Sequence, residues 1–180
     1  YTAGRAELYA GTASMDFGDT VALSNAVLGM CFTAPLVIGP YYYGLDQEKI
    51  FIYYDKLAKA VQGNLYLYNY PARSGHSMAA ETVGRLVEAN ANITGFKDSV
   101  GEPNHTNMIC RATEGRDFAV YSGFDDQFLY NLASGGMGCI GGLSNIVPEI
   151  WSALVRAANE KNFERSQVLS RLIHRLMPIY

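Results

Sequence analysis

The sequence has few cysteines, and none of them lies close to another. Cys31, Cys110 and Cys139 are the three cysteines among 180 residues, and they form no CxxC pair and no Cys/His cluster. Such usage is typical of proteins kept in a reducing compartment rather than of disulfide-stabilised secreted domains. We therefore expect reduced, mostly buried thiols and a cytoplasmic location.

The sequence also lacks a surplus of positive charge and a long apolar run. Fourteen Lys and Arg stand against seventeen Asp and Glu, which gives a net charge of −3. The electrostatic footprint of a nucleic-acid-binding protein is therefore missing. No apolar stretch approaches the roughly 20 residues of a membrane helix, and no signal-peptide pattern opens the chain. With 49% hydrophobic residues, we expect a soluble globular domain that binds neither nucleic acid nor membranes.

Short apolar runs alternate with helical patterns along the whole chain. This alternation is typical of βαβ units around a parallel sheet. We predict six strands, at residues 6–12, 34–42, 64–71, 93–99, 118–123 and 137–143. No linker or low-complexity tract divides the chain, so we predict a single domain over residues 1–180.

Three helices have clear boundary signals. An apolar stripe at helical spacing follows Asp46, which is a suitable N-cap. A second stripe follows Pro148, which suits the first turn of a helix. Residues 163–176 form a third amphipathic pattern, ended by Met177 and Pro178.

Two sheet architectures fit six parallel strands, an open doubly wound sheet and part of a closed barrel. No GxGxxG follows the first strand, which counts against dinucleotide binding. Polar or aromatic residues end several predicted strands: Tyr42, Tyr68, Lys97, Ser122 and Asn145. Functional groups at many strand ends are typical of the upper face of a TIM (β/α)8 barrel, although such a barrel needs eight units.

Lys97 is the most informative of these residues. It ends an apolar, β-branched run and is followed by Asp98 and Ser99. Burying an unpaired ammonium costs several kcal/mol, so a lysine in this place needs a reason. One reason is nucleophilic attack on a carbonyl. The alternative is a lysine that extends to solvent or pairs with Asp98.

Five segments together resemble the dihydrodipicolinate synthase / N-acetylneuraminate lyase superfamily. They are residues 40–42 (PYY), 68–75 (YNYPARSG), 95–99 (GFKDS), 122–126 (SGFDD) and 138–140 (GCI). The superfamily consists of pyruvate-dependent class I aldolases on a TIM barrel. The resemblance implies that this chain carries strands three to eight, with two strands expected before Tyr1 and further helices after Tyr180.

The resemblance also implies catalytic roles for three residues. Lys97 would form a Schiff base with pyruvate or another 2-oxo acid, and Tyr68 would act as general acid and base. Tyr42 would complete a proton relay, reaching into the site of a neighbouring subunit of a homodimer or homotetramer. No metal or organic cofactor is implied.

The remaining implied site residues bind substrate. Arg73 would hold a carboxylate of an acidic aldehyde such as aspartate semialdehyde. Gly123 and Ile140 would offer backbone groups to the 2-oxo acid. By contrast, Asp125 and Asp126 are expected to cap the following helix.

Several functions stay open on this sequence. A dihydrodipicolinate synthase-like condensation is the first hypothesis, because Arg73 favours an acidic second substrate. Cleavage of a 2-keto-3-deoxy-sugar acid, 4-hydroxy-2-oxoglutarate or sialic acid is the alternative within the same chemistry. A relative or fragment that binds a 2-oxo acid without turnover is the alternative of another class.

Overall fold

The computed structural model describes residues 4–179. Six strands, β1 to β6, alternate with eight α-helices, α1 to α8. The strands are Tyr9–Gly11, Ala34–Ile38, Leu65–Asn69, Ile93–Asp98, Ala119–Ser122 and Gly138–Cys139. The helices are Phe17–Gly29, Gln47–Ala60, Pro71–Ser74, Ala80–Ala89, Pro103–Ala112, Phe128–Ala133, Pro148–Asn159 and Phe163–Leu176. Three-residue 3₁₀ turns lie at Asp125–Gln127, Leu143–Asn145 and Met177–Ile179.

The six strands form one parallel sheet in chain order, β1 to β6. This is the arrangement of an incomplete TIM barrel, and it confirms the predicted α/β fold class. Because the carboxyl ends of parallel strands meet at one edge, Tyr68, Lys97 and Ser122 lie at the same end of the sheet.

The strands are shorter than predicted. β2 ends at Ile38 rather than at residue 42, since Gly39 and Pro40 follow and proline has no N–H for a ladder hydrogen bond. Tyr42 therefore lies in a loop and not at a strand end. β6 covers only two residues, and Leu143, predicted in that strand, lies in a 3₁₀ turn.

The predicted helix boundaries are confirmed. The Asp46 carboxylate caps α2 by accepting a hydrogen bond from the Lys49 N–H at 2.8 Å. Pro148 occupies the first turn of α7, and α8 spans Phe163–Leu176 as predicted. Among residues 4–179, no helix is both long and apolar enough to cross a membrane.

The prediction of buried thiols is only partly right. Cys110 and Cys139 are partly buried, but Cys31 is exposed. Cys31 follows the end of α1 with a left-handed φ of 63°, so it lies in the surface turn that connects α1 to β2.

Side chains of the strands alternate between two cores. The outer face packs against the helices and includes Val37, Leu65, Leu67, Phe96 and Val120. The inner face carries a second cluster: Ala34, Leu36 and Tyr66, with Tyr9, Tyr68, Ala119 and Tyr121 packed against them. A third cluster around Phe128, Trp151 and Ile173 joins α6, α7 and α8.

Gly95 lets Tyr66 lie flat across the inner face of the sheet. Gly95 and Tyr66 are register partners on β4 and β3. A Cβ at position 95 would overlap the Tyr66 ring. The Tyr66 side chain is 6% exposed, so it has little room to move aside.

We expect Gly95→Ala to lower the free energy of unfolding by about 1–3 kcal/mol, as overpacking of a filled core does. Urea unfolding measures this change. Gly29→Ala is the matched control, because no atom lies within 4 Å of a Cβ at that position. Alanine at the end of α1 should leave stability unchanged or raise it by up to about 1 kcal/mol. Equal effects of the two substitutions would contradict the proposed overlap.

Candidate active site

A cavity of about 250 Å³ opens at the carboxyl ends of β3, β4 and β5. Nine residues line it: Tyr68, Tyr70, Lys97, Ser99, Gly123, Phe124, Ile140, Gly141 and Gly142. Four of the six predicted site residues, Tyr68, Lys97, Gly123 and Ile140, therefore come together. A larger cavity of about 530 Å³ lies beside β6 and α7, but no charged side chain lines it. We therefore take the smaller cavity as the candidate site.

Lys97 and Tyr68 face this cavity side by side. They are register partners on β4 and β3, and the Lys97 Nζ lies 4.3 Å from the centroid of the Tyr68 ring. In the described part of the chain, Lys97 takes part in no salt bridge. A cation over a tyrosine face gains about 0.5–2 kcal/mol. The Tyr68 ring is therefore the partner of the Lys97 side chain in this cavity.

Asp98 is not the partner of Lys97, because it follows on the strand and points to the outer face. Its side chain is 1% exposed and is held by three donors. Asn69 Nδ2 donates to Oδ1 at 3.0 Å, whereas Thr106 Oγ1 and His105 Nδ1 approach Oδ2 at 3.0 and 2.8 Å. The alternative of a Lys97–Asp98 pair is therefore wrong.

Glycines allow close backbone approach around the cavity. A Cβ at Gly123 would overlap the Ser99 hydroxyl, and a Cβ at Gly141 would overlap the Asp125 carboxylate. The cavity walls are thus backbone at two positions, which suits the predicted use of backbone groups around a small 2-oxo acid.

Asp125 and Asp126 do not cap the following helices, contrary to the prediction. No side chain caps the 3₁₀ turn Asp125–Gln127 or α6. Asp125, 1% exposed, instead accepts hydrogen bonds from the N–H groups of Gly142 at 3.0 Å and Leu143 at 3.2 Å. It therefore fixes the turn after β6. The Asp126 carboxylate lies 3.9 Å from His174 and is 27% exposed.

Sequence reasoning missed several residues of the cavity wall. Ser99 lies two residues after Lys97, on the same face of the chain, and that spacing could have identified it. Tyr70 and Phe124 pack edge to face, with centroids 6.2 Å apart and an interplanar angle of 89°. Nothing in the sequence indicates the contact between Tyr70 and Phe124, because the two residues belong to different loops.

Tyr42 and Arg73 do not line the cavity. Tyr42 is 84% exposed, has a left-handed φ of 89° and packs its ring against Tyr43 at 5.0 Å. Arg73 lies exposed in α3, with its guanidinium carbon 5.9 Å from the Tyr70 ring. Their catalytic and substrate-binding roles stay predictions. Across residues 4–179, no three His, Cys, Asp or Glu side chains are grouped to hold a metal ion.

We expect Asp125→Asn to lower the free energy of unfolding by about 1.5–3 kcal/mol, the usual contribution of hydrogen bonds to a charged group. The new NH₂ group would face a backbone N–H instead of accepting from it. Asp126→Asn is the adjacent control and should change stability by no more than about 1 kcal/mol. Urea midpoints give both values, and faster hydrogen exchange at Gly142 and Leu143 should accompany the first. Protection of those amides that stays unchanged in Asp125→Asn would rule out this role.

The chain is similar to several known proteins. The model of the dihydrodipicolinate synthetase family matches residues 1–180. A 4-hydroxy-tetrahydrodipicolinate synthase of Fervidobacterium nodosum is 34% identical over 171 residues, which cover 95% of this chain and 57% of that protein. A probable 2-dehydro-3-deoxy-D-pentonate aldolase of Escherichia coli K12 is 28% identical over 179 residues, covering 98% of this chain and 60% of that protein.

A solved structure shows the same fold. The chloride-inhibited dihydrodipicolinate synthase of Acinetobacter baumannii, crystallised with pyruvate, superimposes with a TM-score of 0.87 at 30% identity. The match covers 98% of this chain and 61% of that one. The chain thus spans less than two thirds of the length of the relatives it matches.

Proposed function

We propose, since the chain belongs to the dihydrodipicolinate synthetase family, that it is the part of a pyruvate-dependent aldolase that carries the imine-forming lysine. One observation carries the proposal. The Lys97 amine faces a small cavity at the strand ends, beside the Tyr68 ring and without a carboxylate partner in the described chain.

The proposed chemistry begins at the Lys97 amine. Its neutral form adds to the ketone of pyruvate, and loss of water leaves a protonated imine. The imine accepts the electron pair when a proton leaves the adjacent methyl carbon, and the resulting enamine attacks an aldehyde. Hydrolysis of the imine then releases the product and restores the amine. The protein needs no metal or organic cofactor for these steps.

Tyr68 is the proposed proton carrier. Its ring lies against the amine, so a phenol at this place can exchange a proton with the carbinolamine or with the substrate hydroxyl. The N–H and C=O groups around Gly123 and Ile140 would hold the substrate carboxylate and carbonyl, since glycines let the backbone line this cavity.

The second substrate is an aldehyde, and two classes compete. An exposed Arg73 beside Tyr70 favours an acidic aldehyde, as in dihydrodipicolinate synthesis. The cavity wall itself is neutral apart from Lys97, with aromatic rings at Tyr70 and Phe124. That wall, and the Escherichia coli relative named as a probable pentonate aldolase, favour a 2-keto-3-deoxy-sugar acid instead.

Assembly is part of the proposal. Tyr41, Tyr42 and Tyr43 are 40%, 84% and 66% exposed, and an exposed aromatic cluster of this kind marks an interaction surface. We propose that it contacts another copy of the protein in a dimer or tetramer, which would let Tyr42 act in a neighbouring site.

We expect full-length protein incubated with pyruvate and borohydride to carry one reduced adduct, on Lys97. The amine faces the cavity, whereas lysines such as Lys59 are exposed and paired with a carboxylate. Peptide mapping by mass spectrometry locates the adduct, and Lys97→Arg is the control that should abolish both trapping and activity. No adduct with several 2-oxo acids, or an adduct spread over surface lysines, would favour binding without turnover.

We expect Arg73→Ala to separate the two substrate classes. If Arg73 holds the carboxylate of an acidic aldehyde through a charge-assisted pair, its loss should cost about 2–3 kcal/mol in kcat/KM for that aldehyde. Trapping of pyruvate on Lys97 should be unaffected. Steady-state kinetics with an acidic and an uncharged aldehyde give the comparison, with Arg111→Ala on the exposed end of α5 as control. Equal losses for both aldehydes would remove the argument for an acidic one.

A further inference from the structure

A closed ring of four hydrogen bonds lies behind the candidate site, on the outer face of β3 and β4. Asn69 Nδ2 donates to Asp98 Oδ1 at 3.0 Å, and the Met78 N–H donates to Asn69 Oδ1 at 3.0 Å. His105 Nε2 lies 2.9 Å from the Met78 carbonyl oxygen, and His105 Nδ1 lies 2.8 Å from Asp98 Oδ2. The ring therefore joins β3, β4, α5 and the segment before α4.

The partners determine where the protons are. A backbone carbonyl can only accept, so His105 Nε2 must carry a hydrogen. The Asp98 carboxylate accepts hydrogen bonds from Asn69 Nδ2 on one oxygen and from Thr106 Oγ1 on the other. His105 Nδ1 must then carry a hydrogen as well, since a bare nitrogen would face the carboxylate lone pairs at 2.8 Å. The ring closes only around an imidazolium.

Burial and the neighbouring Asp98 shift the pKa of His105 in opposite directions. Its side chain is 17% exposed, and burial by itself lowers the pKa of the imidazole. The hydrogen bond and negative charge of Asp98, with the Met78 carbonyl, outweigh burial and raise the pKa of His105 above its usual value. The protonated ring is therefore the stable form over a wider pH range than a free histidine would allow.

The ring of hydrogen bonds also lies directly behind Tyr68 and Lys97. Asn69 follows Tyr68 and Asp98 follows Lys97, and both pairs are in register across β3 and β4. Neighbouring residues of a strand face opposite sides. A bond between the outer side chains of Asn69 and Asp98 thus fixes the separation of the inner side chains one residue earlier.

We propose that His105 is a positioning residue for the aldolase chemistry, because its imidazolium closes the ring that holds the Tyr68 and Lys97 strand ends together. This inference rests on the function proposed for Lys97 and Tyr68. Loss of one proton leaves a bare ring nitrogen against either the Met78 carbonyl oxygen or the Asp98 carboxylate, so one of these two hydrogen bonds is lost, the ring opens and the end of β4 is held less firmly. Activity that depends on the spacing of Tyr68 and Lys97 therefore falls as the pH rises through the pKa of His105.

Two charged groups act on His105, Asp98 of β4 and Glu102 before α5. The elements packed on α5, and α5 itself, carry these further titratable or charged side chains: Glu81, Arg85 and Glu88 on α4, Tyr121 on β5, Tyr130 on α6, and Cys110 and Arg111 on α5. Arg85 donates to Glu48 of α2 at 3.2 Å, and Asp98 is the only one of these groups that touches the imidazole in the described chain.

His105→Gln in the full-length protein tests the inference. Glutamine keeps one donor but never carries a charge. His174→Gln, on the exposed side of α8, is the matched control. Turnover and the rate of reductive trapping of pyruvate on Lys97 are measured between pH 6 and 9 for wild type and both variants. The ratio of wild type to variant cancels all titrations other than that of residue 105.

We expect wild type to exceed His105→Gln by about 10- to 100-fold at low pH, the loss that a misplacement of about 1 Å can cause. This ratio should shrink towards one as the pH rises through the pKa of His105, whereas the ratio for His174→Gln stays near one. A ratio that does not change with pH, with Lys97 trapped normally, overturns the positioning role and leaves the aldolase assignment intact. Absence of the Lys97 adduct in wild type overturns both.

A nitrogen NMR spectrum of wild-type protein keeps the test decisive if His105→Gln does not fold. Both ring nitrogens of His105 should be protonated at the pH of highest turnover, and they should lose that signature together with turnover as the pH rises. A neutral tautomer of His105 at the pH of highest turnover would overturn the inference without any variant.

Discussion

Consecutive side chains of a strand point to opposite faces, and this constraint organises the candidate site. On β3 and β4 it places Tyr68 and Lys97 inside and Asn69 and Asp98 outside. Because Tyr68 pairs with Lys97 and Asn69 pairs with Asp98 across the two strands, the first pair forms an inner layer and the second pair an outer layer. The inner layer offers an amine and a phenol to a cavity. The outer layer is a buried network of hydrogen bonds that the cavity never touches.

The distribution of charge follows from the same division. Asp98 is buried, but its carboxylate accepts hydrogen bonds from Asn69 and Thr106 and lies 2.8 Å from His105 on the helix side. Lys97, one residue earlier, is separated from that carboxylate by the sheet itself. A reactive amine and a buried anion can therefore be adjacent in sequence without neutralising each other. If both lay on one face, they would form a salt bridge and the amine would be held as an ammonium.

Much of this architecture could be predicted from the chain because it depends on local patterns. Six strands in chain order, the Asp46 cap and the helix that begins at Pro148 all follow from periodicity and capping chemistry. Lys97, Tyr68, Gly123 and Ile140 could be brought together because strand ends of a parallel sheet share one edge.

The remaining features depend on distant partners, which periodicity does not reveal. Asp125 has the composition of a helix cap, yet two amides of a glycine turn 17 and 18 residues away are the donors it finds. His105 belongs to no recognisable motif, and the role proposed for it depends on its contacts with Asp98 and Met78. The apolar run that continues to Tyr42 predicts a longer strand, but Gly39 and Pro40 end β2 at Ile38, so Tyr42 lies in the loop.

The contact between Gly95 and Tyr66 restricts which substitutions these two positions can accept. The two positions share one fixed volume on the inner face, so a larger residue on β4 requires a smaller one on β3. Such exchanges would appear among relatives as correlated pairs rather than as independent changes. Since Tyr66 also contacts Tyr9 and Tyr121, an exchange at this pair would change the packing of four strands, β1, β3, β4 and β5, and the inner layer below the cavity would vary as a unit.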